Sequence, residues 1–577
     1  MLHVDLDAPV KDFMRRTLYF LDPEDTCDKA ARVMKDPDIG SVFVTENGTP
    51  VGIVTERDLV SKLLGEGRDP SKVKLKEIMS SPVVTVGPEA KVREALEVMA
   101  HNGFRRLLVM DGDRPVGIIA QRFTIKEEVD FLRHKADEPA QAAMRYHPFY
   151  HGKVEINLKV PVRNLDDFAI WYTPGVAEPC KDIQRDPRRV YDHTNKGNTI
   201  AIVTDGTRVL GLGDIGPQAA LPVMEGKSLL FRYLGGVDAH PICLSCTDPD
   251  EFVETVKAIQ PAYGGVNLED IAQPKCFRIL NRLIEEADIP VWHDDQQGTA
   301  TVVLAGLMNA LRVVGKKLDQ VKVTLVGAGA SNIRTARLLR VAGVDAKQLI
   351  VLDSRGILHS GRDDLESRYP EKWELAQITN GEGRTGGIRD ALQGADVVIA
   401  LSKPGPGVIV ADDIRLMGPD PIVFACANPI PEIWPWEAAE AGARVVATGR
   451  SDFPNQVNNS LGFPGIFRGV LDVRSKRITD EMCIAAAEEL ALIAEEKGLE
   501  ANSILPSMSE WEVFPRVATA VGMKAQEQGL AQVQIARENL YQGAHDRIER
   551  ARAIVESDME RGFIKEPPSE ETVIYRR

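Results

Sequence analysis

The chain has 577 residues, of which 44% are hydrophobic and 27% charged, proportions that exclude wholesale disorder. At roughly 100–200 residues per domain it also exceeds any single small binding module. Its 70 basic and 85 acidic residues leave a formal charge of −15, which argues against nucleic acid or an anionic membrane as main partner but permits a locally basic pocket.

The start, MLHVDLDAPVKDFMRR, lacks the apolar core of a signal peptide. An internal repeat follows. Residues 14–58 align without gaps on 79–123: Pro23-Glu24 falls on Pro88-Glu89, Ala30 on Ala95, Val33-Met34 on Val98-Met99, and Pro50-Val51-Gly52-Ile53 on Pro115-Val116-Gly117-Ile118. Each copy predicts a helix, two short strands around a turn, and a second helix. Each is too small to bury both faces of its sheet, so the two are expected to pack together. The pattern resembles a tandem pair of cystathionine-β-synthase (CBS) domains over residues 1–130. That resemblance implies an adenosine nucleotide held by Thr55 and Asp58 of the first copy. The second copy has Ala120 and Phe123 there, whose side chains cannot hydrogen-bond a ribose diol. Helix capping by Thr55 and Asp58 accounts for the same two residues as well as a ligand does.

A polar linker, residues 131–148, leads to four segments whose residues a core would not need. Tyr172 stands before the tight turn of Pro174-Gly175; alone, it reads as a core or interface tyrosine. The glycine-rich run TDGTRVLGLGDIG brackets Arg208, whose planar fork suits a carboxylate. Lys227 opens an apolar stretch; it either snorkels outward or, buried beside a cation or a base, has a lowered pKa. Glu269-Asp270 and Asp294-Asp295 each end an apolar, strand-like run. One such pair could cap a helix, but two pairs in one domain point to a hard cation, Mg²⁺ or Mn²⁺.

Next come a strand (321–326), the turn Gly327-Ala328-Gly329-Ala330-Ser331, a helix, and a second strand ending in Asp353. This is the dinucleotide-binding arrangement, in which glycines admit the pyrophosphate to a helix N-terminus. Asn332 replaces the usual third glycine, so a looser helix-to-strand contact is expected. Asp353 favours NAD and Arg355 favours NADP, and the choice stays open. Later apolar runs end in loops at Ser402 and Asn428, and a Gly/Pro-rich loop carries Asn458 and Asn459. Seven cysteines, an odd number in a chain without an evident secretion signal, read as reduced thiols, and no apolar run approaches the roughly 18–20 residues that cross a bilayer. A cytoplasmic location is expected. Cys243 and Cys246 form a C-x-x-C without a second pair and read as buried small residues rather than a zinc site.

From about Arg145 to Gly522 the chain resembles a malic enzyme of the shorter bacterial kind: WYTPGVAEPC, TDGTRVLGLGDIG, EGKSLLF, NLEDI, HDDQQGTA, VGAGAS, ANPIPE and NQVNNSLGFPG occur in that family's order. The resemblance implies Tyr172 as general acid, Lys227 as general base and Asp294 as the group orienting Lys227. It implies Glu269, Asp270 and Asp295 as metal ligands, Arg208, Asn428 and Asn459 as L-malate contacts, and Gly327 to Ser331 as the NAD(P) cradle.

The expected fold is α/β: a tandem CBS module (1–130), a malic-enzyme N-terminal α/β domain (131–300), a Rossmann-type NAD(P)-binding domain with a parallel sheet (301–525), and a C-terminal helical extension (526–577) that makes subunit contacts or a solvated face. The expected activity is oxidative decarboxylation of L-malate to pyruvate and CO₂ in a homo-oligomer, dimer or tetramer, under an adenine-nucleotide effector. Two alternatives remain: a nucleotide-sensing or assembly protein with a silent catalytic region, and a decarboxylase of another 2-hydroxy acid such as tartrate.

Overall fold

The computed structural model describes residues 9–567 except 13, 36–38, 47, 93, 96–97, 100–105, 113 and 121–140. The chain separates into two compact units, Met1–Tyr146 and His147–Arg577. The boundary expected at 130/131 lies outside the described residues, as does Phe123.

In the first unit, β1 (Phe20–Leu21), β2 (Ser41–Glu46) and β3 (Thr49–Thr55) form one sheet, and helix α1 (Glu56–Leu59) follows. Strands β4 (Thr85–Val86), β5 (Arg106–Asp111) and β6 (Arg114–Ala120) repeat the arrangement, one parallel and one antiparallel pairing in each. Phe43 of the first copy packs with Leu108, Ile118 and Ala120 of the second, so the two copies bury one another as their size requires.

The second unit begins with an exposed segment ending in helix α2 (Asp166–Trp171). Strands β7 (Thr199–Thr204), β8 (Asp238–Cys243), β9 (Gly265–Leu268) and β10 (Val291–His293) form a parallel sheet in the order β10-β9-β7-β8. Helix α3 (Gly216–Gly235) connects β7 to β8, and α4 (Thr299–Val314) leads onward. Strands β11 (Val323–Val326), β12 (Leu349–Asp353), β13 (Gly356–Ile357), β14 (Val397–Ala400), β15 (Ile422–Ala425) and β16 (Val445–Thr448) make a second sheet in the order β13-β12-β11-β14-β15-β16, parallel except for β13. Helix α5 (Ala330–Val341) joins β11 to β12. Every residue of β7, β11, β14 and β15 is buried, the condition of parallel strands covered on both faces. Among the described residues one helical stretch, Asp294–Val314, is long and apolar enough to cross a membrane; 72% of it is buried inside the molecule, so its apolar character belongs to the core.

Helices α6 (Phe463–Asp472), α7 (Val513–Glu527) and α8 (Arg537–Glu560) close the unit. Leu540, Ala544, Ile548 and Ala551 bury one stripe of α8. Ile548 packs with Leu234 of α3 and Phe514 of α7, and the Arg552 guanidinium lies 4.4 Å over the Tyr233 ring. The inner face of this extension is therefore occupied by its own chain.

Candidate active site

In parallel sheets, the loops after the carboxyl ends of the strands carry ligands. Glu269 and Asp270 follow β9, and Asp294 and Asp295 follow its neighbour β10, so the two acidic pairs emerge side by side. One carboxylate oxygen each from Glu269, Asp270 and Asp295 lies within 4.8 Å of the other two. The Asp270 N–H donates to Asp295 Oδ2 at 2.9 Å, and Asn267 Nδ2 donates to Glu269 Oε2 at 2.8 Å. Asp270 sits at φ +55°, a left-handed conformation that non-glycine residues adopt at a cost, and its buried Oδ2 has no hydrogen-bond partner. Oxygen-only donors with one unsatisfied buried atom fit a hard divalent cation. Burial, then the charge of Asp295, pushes Asp270 up to about 7. Burial raises Glu269, Asp294 and Asp295 as well, against the pull of Lys227.

Lys227 reaches this cluster from the middle of α3 and is 8% exposed. Its Nζ lies 2.9 Å from Glu269 Oε1 and 2.5 Å from Asp294 Oδ2, and 4.4 Å from the centre of the Phe463 ring. Burial alone would lower its pKa; the charges of Asp294 and Glu269 outweigh this and hold the ammonium above the usual lysine range. Its burial excludes the outward-snorkelling alternative, and the neighbours that set this direction are carboxylates. Asp294 is completely buried and also accepts from Asn459 Nδ2 at 2.6 Å and Trp292 Nε1 at 3.2 Å. A Cβ on Gly298 would fall 1.9 Å from Asp294 Oδ1, so only glycine fits beside this carboxylate.

Arg208 lies at the edge of the cluster. Its N–H donates to the Asp270 carbonyl at 3.0 Å, its side chain is exposed, and its charge helps hold Asp295 down. Asn428 is exposed in the loop after β15; its carbonyl is 3.0 Å from where a Cβ on Gly211 would lie, so the Arg208 loop touches the Asn428 loop. Tyr172 stands apart. It follows α2 with its side chain 70% exposed, and no hydrogen bond among the described residues joins that side chain to the cluster. Leu165, Phe168, Ile170 and Trp171 around it in sequence are exposed too.

The turn 327–331 links β11 to α5. Gly327 has φ +97°, and a Cβ there would meet the Leu401 carbonyl at 2.7 Å, so the chain requires glycine on both counts. Ala328, Gly329 and Ala330 carry the chain into the helix, and Ser331 Oγ donates to the Asp295 carbonyl at 2.8 Å, joining this turn to the acidic cluster. Asn332 is fully buried, with Nδ2 donating to the carbonyls of Val326 and Gly327 at 3.0 and 2.9 Å. The looser contact expected at this position is corrected: the amide bonds helix to strand. Asp353 ends β12 and accepts from Arg362 at 3.2 Å, Lys372 at 3.3 Å and the Arg355 N–H at 2.9 Å. Burial raises its pKa, but these donors more than offset it, so the carboxylate lies below its usual range. Arg355 pairs with Asp364 at 3.0 Å. Cys243 and Cys246 are free and half-buried rather than buried.

In the first unit Thr55 and Asp58 form a capping box on α1: Asp58 N–H donates to Thr55 Oγ1 at 3.3 Å and Thr55 N–H to Asp58 Oδ2 at 2.9 Å. Lys62 adds an ion pair to Asp58 at 2.8 Å.

Asn267, Trp292 and Phe463 were not singled out from sequence. Asn267 precedes Glu269 by two residues and Trp292 precedes Asp294 by two, at the ends of the strand-like runs, so their nearness to the acidic pairs was legible. Phe463 meets Lys227 only through the packing of α6 and left no such mark.

Family models describe these regions in similar terms. The malic enzyme N-terminal domain matches residues 151–284, the malic enzyme NAD-binding domain residues 296–526, and the CBS domain residues 10–65 and 75–122. A bifunctional malic/malolactic enzyme of Bacillus subtilis is 50% identical over 69% of this chain and 96% of its own. An NAD-dependent malic enzyme of Geobacillus stearothermophilus is 52% identical over 66% of this chain and 78% of its own. Among solved structures, a malic enzyme of Entamoeba histolytica superposes with a TM-score of 0.73 at 46% identity, covering 75% of this chain and 91% of that one.

Proposed function

Because the chain belongs to the malic enzyme family, NAD(P)-dependent oxidative decarboxylases of malate, we propose that it performs this reaction with a divalent cation held by Glu269, Asp270 and Asp295. The observation that carries the metal reading is the convergence of these three carboxylates with the unpartnered Asp270 Oδ2. Mg²⁺ or Mn²⁺ there would polarise the substrate's hydroxyl and carbonyl oxygens. Arg208 grips a malate carboxylate, and Asn428 and Asn459 bound the substrate from the other domain. Lys227 takes the C2 hydroxyl proton, a role open to it once the charge of its carboxylate neighbours is neutralised; Asp294 holds the amine in place through its 2.5 Å bond. Gly327 to Ser331 and Asp353 would hold NAD or NADP, which would supply the hydride acceptor for C2.

Tyr172 is the proton donor to C3 and acts across a subunit interface: it projects from a face of exposed apolar residues that a second copy of the chain would cover. The CBS module binds an adenine nucleotide at Thr55 and Asp58 and adjusts the rate. The test is direct: malate, Mn²⁺ and NAD⁺ or NADP⁺ give rising absorbance of the reduced nicotinamide, which EDTA abolishes. Turnover of tartrate but not malate would move the substrate assignment, and no turnover of either would favour a sensing role.

A further inference from the structure

Glu432 lies in the loop after β15 with a side chain that is 0% exposed. Its Oε1 accepts from the Ser402 N–H at 2.8 Å and the Ser402 hydroxyl at 3.0 Å; its Oε2 accepts from the Ala427 N–H at 3.0 Å. Among the described residues no cation pairs with it. A carboxylate withdrawn from water without a counter-ion is costly unless other donors repay it. All its donors sit in two loops, one after β14 and one after β15.

Each loop has a further contact that matters for the reaction. Ser402 packs on the first glycine of the cofactor turn: its Cα and Cβ are each 3.0 Å from where a Cβ on Gly327 would lie. Ala427 precedes Asn428, whose carbonyl abuts Gly211 in the loop carrying Arg208. We propose that Glu432 is a positioning residue that holds the nicotinamide-cofactor turn and the malate-binding loop in one register, so that hydride donor and acceptor meet. The proposal rests on the malate-oxidising reading above. Glu432 touches neither reactant and acts through Ser402 and Asn428.

Glu432→Gln keeps the size but sets an NH₂ against an N–H of one of the two loops. The expected result is a rise of about fivefold or more in KM for both malate and the nicotinamide cofactor, with Mn²⁺ affinity by calorimetry unchanged. Ser402→Ala removes a single hydroxyl bond; it should raise the cofactor KM more than the malate KM and add little when combined with Glu432→Gln. A Glu432→Gln protein that melts earlier yet keeps both KM values overturns the proposal, as do effects of the two substitutions that simply multiply. If Glu432→Gln does not fold, Ser402→Ala decides alone, and an unchanged cofactor KM overturns it. If the wild type turns over no malate, that earlier reading fails instead. Quenching of nicotinamide fluorescence then tests Glu432 by binding: weaker binding in Glu432→Gln supports it and equal binding overturns it.

Discussion

Replacing Lys227 by Met removes an ammonium that lies among four carboxylates. Its Nζ is 2.9 Å from Glu269 and 2.5 Å from Asp294. At an effective dielectric of about 20, each contact is worth about 6 kcal/mol of Coulomb attraction before desolvation is charged against it. Breaking such a buried pair costs about 3–5 kcal/mol net. In a unit of this size the metal-free variant should therefore melt roughly 3–6 °C lower. Cation binding should move the other way, because the ammonium competes for Glu269. A unit charge about 4 Å from a divalent ion is worth about 8 kcal/mol at that dielectric, and a sixth of it surviving relaxation tightens Mn²⁺ binding about tenfold. Malate oxidation should fall about 10²–10⁴-fold with the loss of the proton acceptor. Calorimetric titration with Mn²⁺ and nicotinamide absorbance read the two effects separately. Weaker Mn²⁺ binding by Lys227→Met, or undiminished turnover, would refute the reasoning.

Three further outcomes are expected. The folded-state pKa of Asp270, raised to about 7, gives the metal-free protein stability that is complete below the ordinary aspartate value and lost as pH rises through about 7. Mn²⁺ replaces those protons, so the gap between melting temperatures with and without Mn²⁺ should widen from about pH 5 to about pH 8; a narrowing gap contradicts the site. Tyr172→Phe and Lys227→Ala should each abolish most activity, and mixed dimers should recover up to about a quarter of it if the tyrosine serves its neighbour. No recovery under proven subunit exchange would return Tyr172 to its own chain. Asp58→Ala should cost the first unit about 1 kcal/mol by loss of the capping box and weaken the binding heat of AMP, ADP or ATP. Absence of heat with any nucleotide in the wild type counts against the effector.

The repeat, the parallel sheets and the acidic pairs were legible because each is written locally. The 65-residue repeat of sequence returns as Ser41–Glu46 and Arg106–Asp111, and strand ends announce themselves by the residues after them. What was not legible depends on who lies opposite. Lys227 in its apolar run gives no sign that its neighbours are Glu269 and Asp294, and so none of the direction of its pKa. Asn332 looked like a missing glycine, yet its amide finds the carbonyls of Val326 and Gly327. The spacing of Thr55 and Asp58 served capping and ligand readings equally, and the capping bonds are formed.

The match to the NAD-binding family model stops at residue 526, which would mark everything after it as a dispensable tail. Packing says otherwise. The main-chain carbonyl of Arg547 lies 2.8 Å from where a Cβ on Gly236 would stand, and Leu540 and Ile548 fill the interior beside the helix that bears Lys227. A protein cut back to that endpoint would lay bare Leu234 and Phe514 and leave the amine's supporting helix without its outer wall, so truncation there should fail through aggregation before any chemistry could be assayed.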